Sequence, residues 1–583
     1  MLKILGYLTK KEWFLVSISL VFIVLQVWLD LKLPDYMAEI TMLIQTEGTS
    51  VSDLWQPGIY MVLCAIGSMV TAIIVGYFAA QIAAGLAMRI RGMVFDQTLS
   101  FSMAEMNRFS LPSLITRSTN DITQIQMIVA MGLQVIIKAP ILAVWAIIKI
   151  YNKNLEWTAA TGVALVFLVL LILTIVTVAI PKFKVIQTLT DNLNRITREN
   201  LTGLRVIRAY NADNFQLNKF ENANEDVTKT NLFVNRVMAL ISPTMMFLMS
   251  GLSVAIYWIG AYLIDSANQL DKLTLFSNMV VFSSYAMQVI MAFMMVSMIF
   301  IMLPRAQVSA KRIVEVLSTE NSVHDGTLSL DDQGIEEIEF KHVSFHYPNG
   351  EGNVLKDIDF TARKGETVAL IGSTGSGKTT AIQLIPRFFD TTEGEVTING
   401  KNIKDYNLHT LRDEISYVSQ TAFLFRGSVK SNVQYGSSED DQAWLQEAIA
   451  IAQGTEFVEN MENTYESSIS QGGKNVSGGQ KQRLSIARAI YKKPSVYLFD
   501  DSFSALDYTT DRKLRTALKQ STKDAITFIV AQRIGTIKDA DRILVFDEGQ
   551  IVGNGTHEEL LANCETYQEI AYSQLSKEEL EHE

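Results

Sequence analysis

Cysteine is almost missing from this chain. Cys64 and Cys564 are the two that occur in 583 residues, one in an apolar stretch and one near the C-terminus. A disulfide framework is excluded by that count and separation. Histidine is also scarce, and the six present show no metal-ligand spacing. There is no basic surplus. The net charge of −11 argues against nucleic acid as a partner, because phosphate backbones need basic patches. A cleavage site is lacking too. Lys3, Lys10 and Lys11 precede an apolar run, as in a signal peptide. That run is long, however, and meets Asp30, Lys32 and Pro34 rather than small residues, so it is expected to be a retained membrane span. Met1–Lys11 mixes Leu2, Ile4, Leu5 and Leu8 with the lysines. That pattern suits a short interfacial helix on the cytoplasmic leaflet or a frayed terminus.

What the chain has in quantity is apolar length. Hydrophobic residues make up 48% of it, unusual for a wholly soluble protein, and they crowd into the first half. A membrane helix needs ~20 mostly apolar residues. Six stretches qualify: Trp13–Ile40, Ile59–Ala84, Ile125–Tyr151, Trp157–Ile180, Val237–Ile264 and Leu273–Leu303. Several exceed the bilayer, and their polar continuations predict helices reaching into the cytoplasm.

Arginine and lysine set the orientation. Arg89, Arg91, Arg108 and Arg117 lie between spans two and three. Lys182, Lys184, Arg195, Arg198, Arg205, Arg208, Lys219 and Arg236 lie between spans four and five, and Arg305, Lys311 and Arg312 follow span six. The connections Glu47–Asp53 and Asp265–Lys272 are short and basic-poor, with Lys149 and Lys153 mild exceptions between spans three and four. Both termini and both long loops are therefore expected in the cytoplasm. The expected layout is a transmembrane domain over residues 1–312, a polar linker over 313–335 and a soluble domain over 336–583. Asp30 and Lys138 are ionisable residues in or near spans, which signals a water-lined path, a buried pair or an interfacial anchor.

The soluble half alternates strand-like and helix-like runs. Glu366–Ile371 leads into Gly372, Ser373, Thr374, Gly375, Ser376, Gly377, Lys378 and Thr379, followed by Thr380 and a helical run. This is a P-loop in strand–loop–helix context. Its glycines let backbone N–H groups approach phosphates at a helix N-terminus. Lys378 suits the β- and γ-phosphates of ATP, and Thr379 suits Mg²⁺.

Downstream strings narrow the superfamily. Val476-Ser477-Gly478-Gly479-Gln480 resembles the ABC signature. Val496-Tyr497-Leu498-Phe499-Asp500 resembles a Walker B strand whose Asp500 organises Mg²⁺. Ser504-Ala505-Leu506-Asp507 is similar to a D-loop. Gln420 in Tyr417-Val418-Ser419-Gln420 matches the Q-loop glutamine, a metal ligand. Tyr347 matches the aromatic residue that stacks on adenine. Leu114–Asp121 and Glu199–Tyr210 resemble the two coupling regions of ABC exporters. Together these strings resemble an ABC exporter half-transporter over nearly the whole chain. The resemblance implies a membrane all-α six-helix transmembrane domain followed by a cytoplasmic α/β P-loop ABC ATPase domain.

Two positions depart from that family's pattern. Asp501 stands where the family has the glutamate that handles the attacking water, and Gln532 stands at the switch histidine. Gln471 also replaces a glutamate common before the signature. Asp501 is one methylene short, a displacement of ~1.5 Å, and a misplacement of ~1 Å can cost ~10²-fold in rate. Gln532 can donate a hydrogen bond but cannot carry the proton a histidine can. Binding parts look intact and hydrolysis parts altered.

In this family the P-loop of one domain faces the signature of another, so a chain with one of each must pair. The pattern resembles the degenerate-site subunit of bacterial heterodimeric multidrug exporters. The implied partner is a second ABC half-transporter with intact Walker B Glu and switch His. In that pairing Ser477, Gly478, Gly479 and Gln480 act on the partner's site. The implied setting is the plasma membrane, in contact with the lipid bilayer. The implied cargo is hydrophobic small molecules, amphipathic and often cationic. Met245, Met246, Met249, Met287 and Met291, with Phe247, Tyr257 and Tyr285 among them, suit promiscuous apolar binding or simple helix packing. A lipid, peptide or metabolite transporter would share the layout. A non-transport ABC ATPase would not carry the six spans.

Overall fold

A computed structural model describes residues 1–574, apart from 47–48, 152–153, 332–333, 349 and 438. Glu47 and Lys153, used above for orientation, lie outside the described residues. The chain divides into two compact units. One comprises residues 1–97 and 112–318, the other 98–111 and 319–583.

The first unit is helical. Among the described residues, six helices are long and apolar enough to cross a membrane: Lys10–Gln45, Val51–Ser100, Leu111–Tyr151, Leu155–Thr202, Asp213–Ser266 and a sixth through Asp271–Val296. The sixth span is part of a helix that runs from Gln269 to Leu317, into the stretch read as linker. At ~1.5 Å per residue, helices of this length run to roughly 75 Å, well beyond the ~30 Å hydrocarbon core. The cytoplasmic continuations expected from the sequence are thus helical.

Local chemistry sets the helix ends. Thr9 and Glu12 form a capping box before the first span, and Arg89 of the second helix grips Glu12 at 3.0 and 3.1 Å. Asn154 caps the fourth helix by accepting from the Glu156 and Trp157 N–H groups. The third helix is interrupted by two π-helical turns, Arg117–Asp121 and Leu133–Ile137. The first is fastened to the sixth helix. Arg117 bonds Glu315 and the Arg312 carbonyl, both at 2.8 Å, and Asp121 accepts from Ser309 at 2.9 Å. The apolar centre gathers Trp157, Phe282, Tyr285, Met279, Leu252 and Ile256 from helices four, five and six.

The second unit is built on a six-stranded sheet. The strands of the whole unit are β1 (Glu337–Phe345), β2 (Leu355–Arg363), β3 (Thr367–Gly372), β4 (Glu393–Ile398), β5 (Lys401–Asn402), β6 (Ile415–Val418), β7 (Gly427–Ser428), β8 (Ser468–Ile469), β9 (Val496–Asp500), β10 (Ile526–Val530), β11 (Arg542–Asp547) and β12 (Gln550–Gly555). The main sheet runs β12-β11-β3-β10-β9-β6, a second runs β2-β1-β4-β5, and β7 pairs with β8. β3 pairs in parallel with β10 and β11. It is buried on both faces, as parallel strands are: Ala369 and Ile371 enter one core, Val368 and Leu370 the other. That central burial fixes the point at which the chain leaves the sheet after Gly372.

The segment 98–111 belongs to this second unit. Its helix Met103–Phe109 is capped by Ser102. Asn321 bonds the Ser100 carbonyl at 2.8 Å, the Ser322 N–H donates to Glu105 at 3.2 Å, and Ala104 packs on the core. The docked piece of this loop thus lies just upstream of Leu114–Asp121, the string that resembles the first coupling region.

Candidate nucleotide site

β3 delivers the chain into the loop Gly372–Gly377, and helix Lys378–Leu384 follows. Gly375 and Gly377 hold φ of 86° and 103°, a left-handed backbone that glycine adopts freely. A Cβ at Gly377 would also press on Leu355 at 2.7 Å. Lys378 folds back over this loop. Its Nζ donates to the Gly372 and Ser373 carbonyls at 2.8 and 2.7 Å and to Ser376 Oγ at 3.2 Å. Burial pushes its ammonium below the usual lysine range, and the carboxylates of Asp501 and Asp500 oppose that shift.

The end of β9 brings oxygens to the start of the P-loop helix. Asp500, only 2% exposed, accepts from Thr379 Oγ1 at 2.7 Å and from the Tyr417 hydroxyl at 2.9 Å. Thr379 and Asp500 thus present hard oxygen donors side by side, the chemistry that magnesium takes. Asp501 turns the chain with φ of 46° and is held by an N–H bond to the Val530 carbonyl on β10. Its Oδ2 accepts from Gln532 at 2.9 Å and from Gln420 at 3.2 Å. Burial raises its carboxyl above the usual range. The Gln420 hydrogen bond works against that shift, and Asp500 adds to it. Tyr347 stands edge-on to Phe345 and Phe389, with its hydroxyl 3.0 Å from Thr380 Oγ1.

Comparison with known proteins agrees with this geometry. Residues 355–504 match the ABC transporter family model, and residues 16–293 match the ABC transporter transmembrane region. An uncharacterized ABC transporter ATP-binding protein of Mycobacterium tuberculosis is 38% identical over 88% of this chain and 87% of that protein. The Bacillus subtilis ABC transporter ATP-binding protein YfiB is 33% identical over 99% of both chains. This chain belongs to the ABC transporter family. An ATP-dependent lipid A-core flippase of Pseudomonas syringae pv. tomato is 30% identical over 83% of this transporter and 80% of that protein. A bacterial Atm1-family ABC exporter solved with ATP bound shares the fold. Its TM-score is 0.80 at 21% identity, covering 95% of this chain and 98% of that one. This transporter is therefore a multi-pass membrane protein in which ATP hydrolysis is coupled to transport.

The signature sits at the start of helix Gly478–Tyr491. Ser477 and Gln480 form a capping box, with the Ser477 N–H donating to Gln480 Oε1 at 2.9 Å. A Cβ on Gly478 would meet nothing within 4 Å, so this face is open in the single chain. Gln482 reaches the Ser419 carbonyl at 3.4 Å, tying the signature helix to the Gln420 loop. Gln471 lies in a short 3₁₀ turn ahead of it. Asp507 caps helix Tyr508–Ser521 through the Thr510 N–H at 2.9 Å, which holds its carboxyl below the usual range.

Two further contributors stand outside the roles that the family strings assign. Tyr417 has no role of its own in the Gln420 string, yet it holds one oxygen of Asp500. A partly buried tyrosine one strand from a conspicuous aspartate is a usable signal, since a buried hydroxyl finds a partner. Gln574, on the C-terminal helix Glu565–Gln574, spans the switch loop. Its Nε2 donates to the Gln532 carbonyl at 2.7 Å, and its Oε1 accepts from the Ile534 N–H at 2.9 Å. Nothing local in sequence announces that clasp.

Proposed function

We infer that this transporter is one half of a heterodimeric exporter, and that its own nucleotide site binds ATP with magnesium but hydrolyses it slowly. The observation that carries the reading is Asp501, with two glutamine amides, Gln532 and Gln420, donating to the same carboxylate oxygen. A base for the attacking water needs that oxygen free and within reach. Its raised affinity for protons would by itself favour base catalysis. The missing methylene counts against it more heavily, since ~1.5 Å of lost reach is worth ~10²-fold or more.

The remaining residues suit binding. Lys378 can leave the loop carbonyls for phosphate oxygens, Thr379 and Asp500 can hold Mg²⁺, and Tyr347 offers its ring to adenine. ATP supplies the free energy that drives the transport cycle. Ser477 and Gly478 are exposed, and a Cβ on Gly478 would meet nothing within 4 Å, which supports Ser477, Gly478, Gly479 and Gln480 serving a partner whose Walker B Glu and switch His are intact. The arginine and lysine asymmetry supports both termini and the ATPase domain lying in the cytoplasm. The residue ranges 1–312, 313–335 and 336–583 remain the proposed domain division.

The proposed cargo is amphipathic compounds, in multidrug fashion. A lipid cargo is the second reading, and the similarity to lipid A-core flippases favours it. The deciding experiment traps labelled ATP on the co-purified pair and follows its loss during turnover. Label should stay on this chain through many partner-site cycles. Loss at the overall turnover rate would refute the slow-site reading.

A further inference from the structure

Two groups of charged side chains in the membrane unit, one around Asp35 and one around Asp30, differ in how fully their polar atoms are satisfied. In the first, Asp35 accepts from Lys149 at 2.8 Å and from the Tyr285 hydroxyl at 2.6 Å, with Lys32 at 3.8 Å. This carboxylate is well satisfied, and the group serves as a staple between helices. In the second, Lys138 of the third helix pairs with Asp30 of the first at 3.1 Å. Ser68 of the second helix donates to the other Asp30 oxygen. Gln288 of the sixth helix donates to the Asp30 carbonyl at 3.4 Å, but its own buried Oε1 has no hydrogen-bond partner.

Three further features mark this second group. Four helices bring these side chains to one depth. At ~1.5 Å per residue, Asp30, Ser68, Lys138 and Gln288 lie roughly 20–28 Å from the helix ends joined by the short loops. That places them within or at the inner edge of the ~30 Å hydrocarbon core. Lys138 follows directly on the π-helical turn Leu133–Ile137, and such turns occur often at functional sites because they re-aim side chains. Asp30 and Lys138 also retain 25% and 18% side-chain exposure. Charges at this depth face a bundle interior or a water-lined path, because hydrocarbon does not solvate them.

We propose that Asp30, Lys138 and Gln288 form a binding site for the charged end of a zwitterionic amphiphile, one bearing a cationic nitrogen and an anionic group a few atoms apart. The inference deepens the amphipathic-cargo reading and rests on it only for the direction of movement. The charge argument selects the class. A lone cation drawn to Asp30 would sit beside Lys138, and a lone anion drawn to Lys138 would sit beside Asp30. A zwitterion answers both charges and adds no net charge to a poorly solvated site. Its N–H or polarised C–H groups also offer the unpartnered Gln288 oxygen the hydrogen bond it lacks. The same chemistry occurs in membrane phospholipid headgroups and in free single-chain amphiphiles.

The test uses the full-length chain in uncharged maltoside micelles. Three fluorescent dodecyl probes carry phosphocholine, trimethylammonium or phosphate heads, and affinity is referred to the micellar mole fraction of each. The phosphocholine probe should bind about tenfold or more tighter than either singly charged probe. The isosteric double variant Asp30→Asn with Lys138→Gln should bring the three within about threefold. Gln288→Leu leaves the ion pair in place and should weaken the phosphocholine probe by about threefold to tenfold. Melting curves report folding, and Gln288→Leu carries the test should the double variant fail to fold. Competition by phosphatidylcholine would assign the site to lipid headgroups. Competition by soluble alkylphosphocholine alone would assign it to free amphiphiles. Equal binding of the three heads, or a preference untouched by the variants, overturns the proposal. Dye efflux by the assembled pair is a separate readout. Its failure with the head preference intact would remove the exporter reading and leave the site.

Discussion

Gln532 donates its Nε2 hydrogen to Asp501 Oδ2 across 2.9 Å, so the residue at the switch position and the residue at the catalytic carboxylate position bond to each other. Both departures from the family pattern therefore meet at one hydrogen bond. Restoring the family residues at both positions should move the same chemical step. The double variant Asp501→Glu with Gln532→His should raise the ATPase rate of the isolated chain by about tenfold or more, in line with the ~10²-fold that ~1 Å of placement is worth. Steady-state phosphate release measures it. No gain would mean that a different step limits this site.

The Gln574 clasp makes a second expectation. Gln574→Ala removes two hydrogen bonds to the switch-loop backbone. Each is worth about 1 kcal/mol, and ~1.4 kcal/mol is a tenfold change in an opening equilibrium. The Ile534 amide should therefore exchange with solvent about tenfold or more faster, read by hydrogen exchange on peptides covering the loop. Distant amides in β3 should not change. Unchanged exchange at Ile534 would show that the clasp does not hold the loop.

How much of this could be read in advance depended on distance along the chain. The P-loop is a contiguous string in which glycine spacing, lysine and threonine all state one task, and the structure places them at the end of a doubly buried strand. The Asp501 and Gln532 departures were legible for the same reason, as single positions inside short motifs. Their mutual bond was not, because it depends on β9 and β10 pairing in parallel. Tyr417 and Asp500 are 83 residues apart, and Gln574 lies 42 residues beyond Gln532. Such contacts are fixed by packing and have no local pattern. Asp30 and Lys138 were each visible as costly residues, but periodicity could not choose between a pair, a path and an anchor. The docked segment 98–111 carries no legible mark, because its contact is a two-turn helix with an ordinary composition.

Topology gives a third expectation. Cys64 and Cys564 are both buried, so background labelling should be low. Ser50→Cys and Asn268→Cys lie at exposed ends of the short loops and should react with an impermeant thiol reagent in intact cells. Labelling that appears only after permeabilisation would reverse the proposed orientation.

The last expectation is an asymmetry between two positions on the same chain. Gly478 faces open space, and a Cβ added there would have no neighbour within 4 Å. Gly478→Asp should therefore leave this chain folded while setting a side chain and a negative charge against the phosphates held by a partner. That should nearly abolish ATPase activity of the assembled pair, because the partner's site is expected to carry the turnover. Asp501→Asn should cost far less. It keeps the shape of the side chain, little turnover passes through this site, and Thr379 and Asp500 remain to hold magnesium. The amides of Gln532 and Gln420 would then face a neutral oxygen, so the loop contact weakens without leaving a buried charge unpaired. Steady-state ATPase on the co-purified pair, with melting curves as the folding control, separates the two. If Asp501→Asn is as damaging as Gly478→Asp, this chain's own site is a main catalytic one, and the slow-site reading fails.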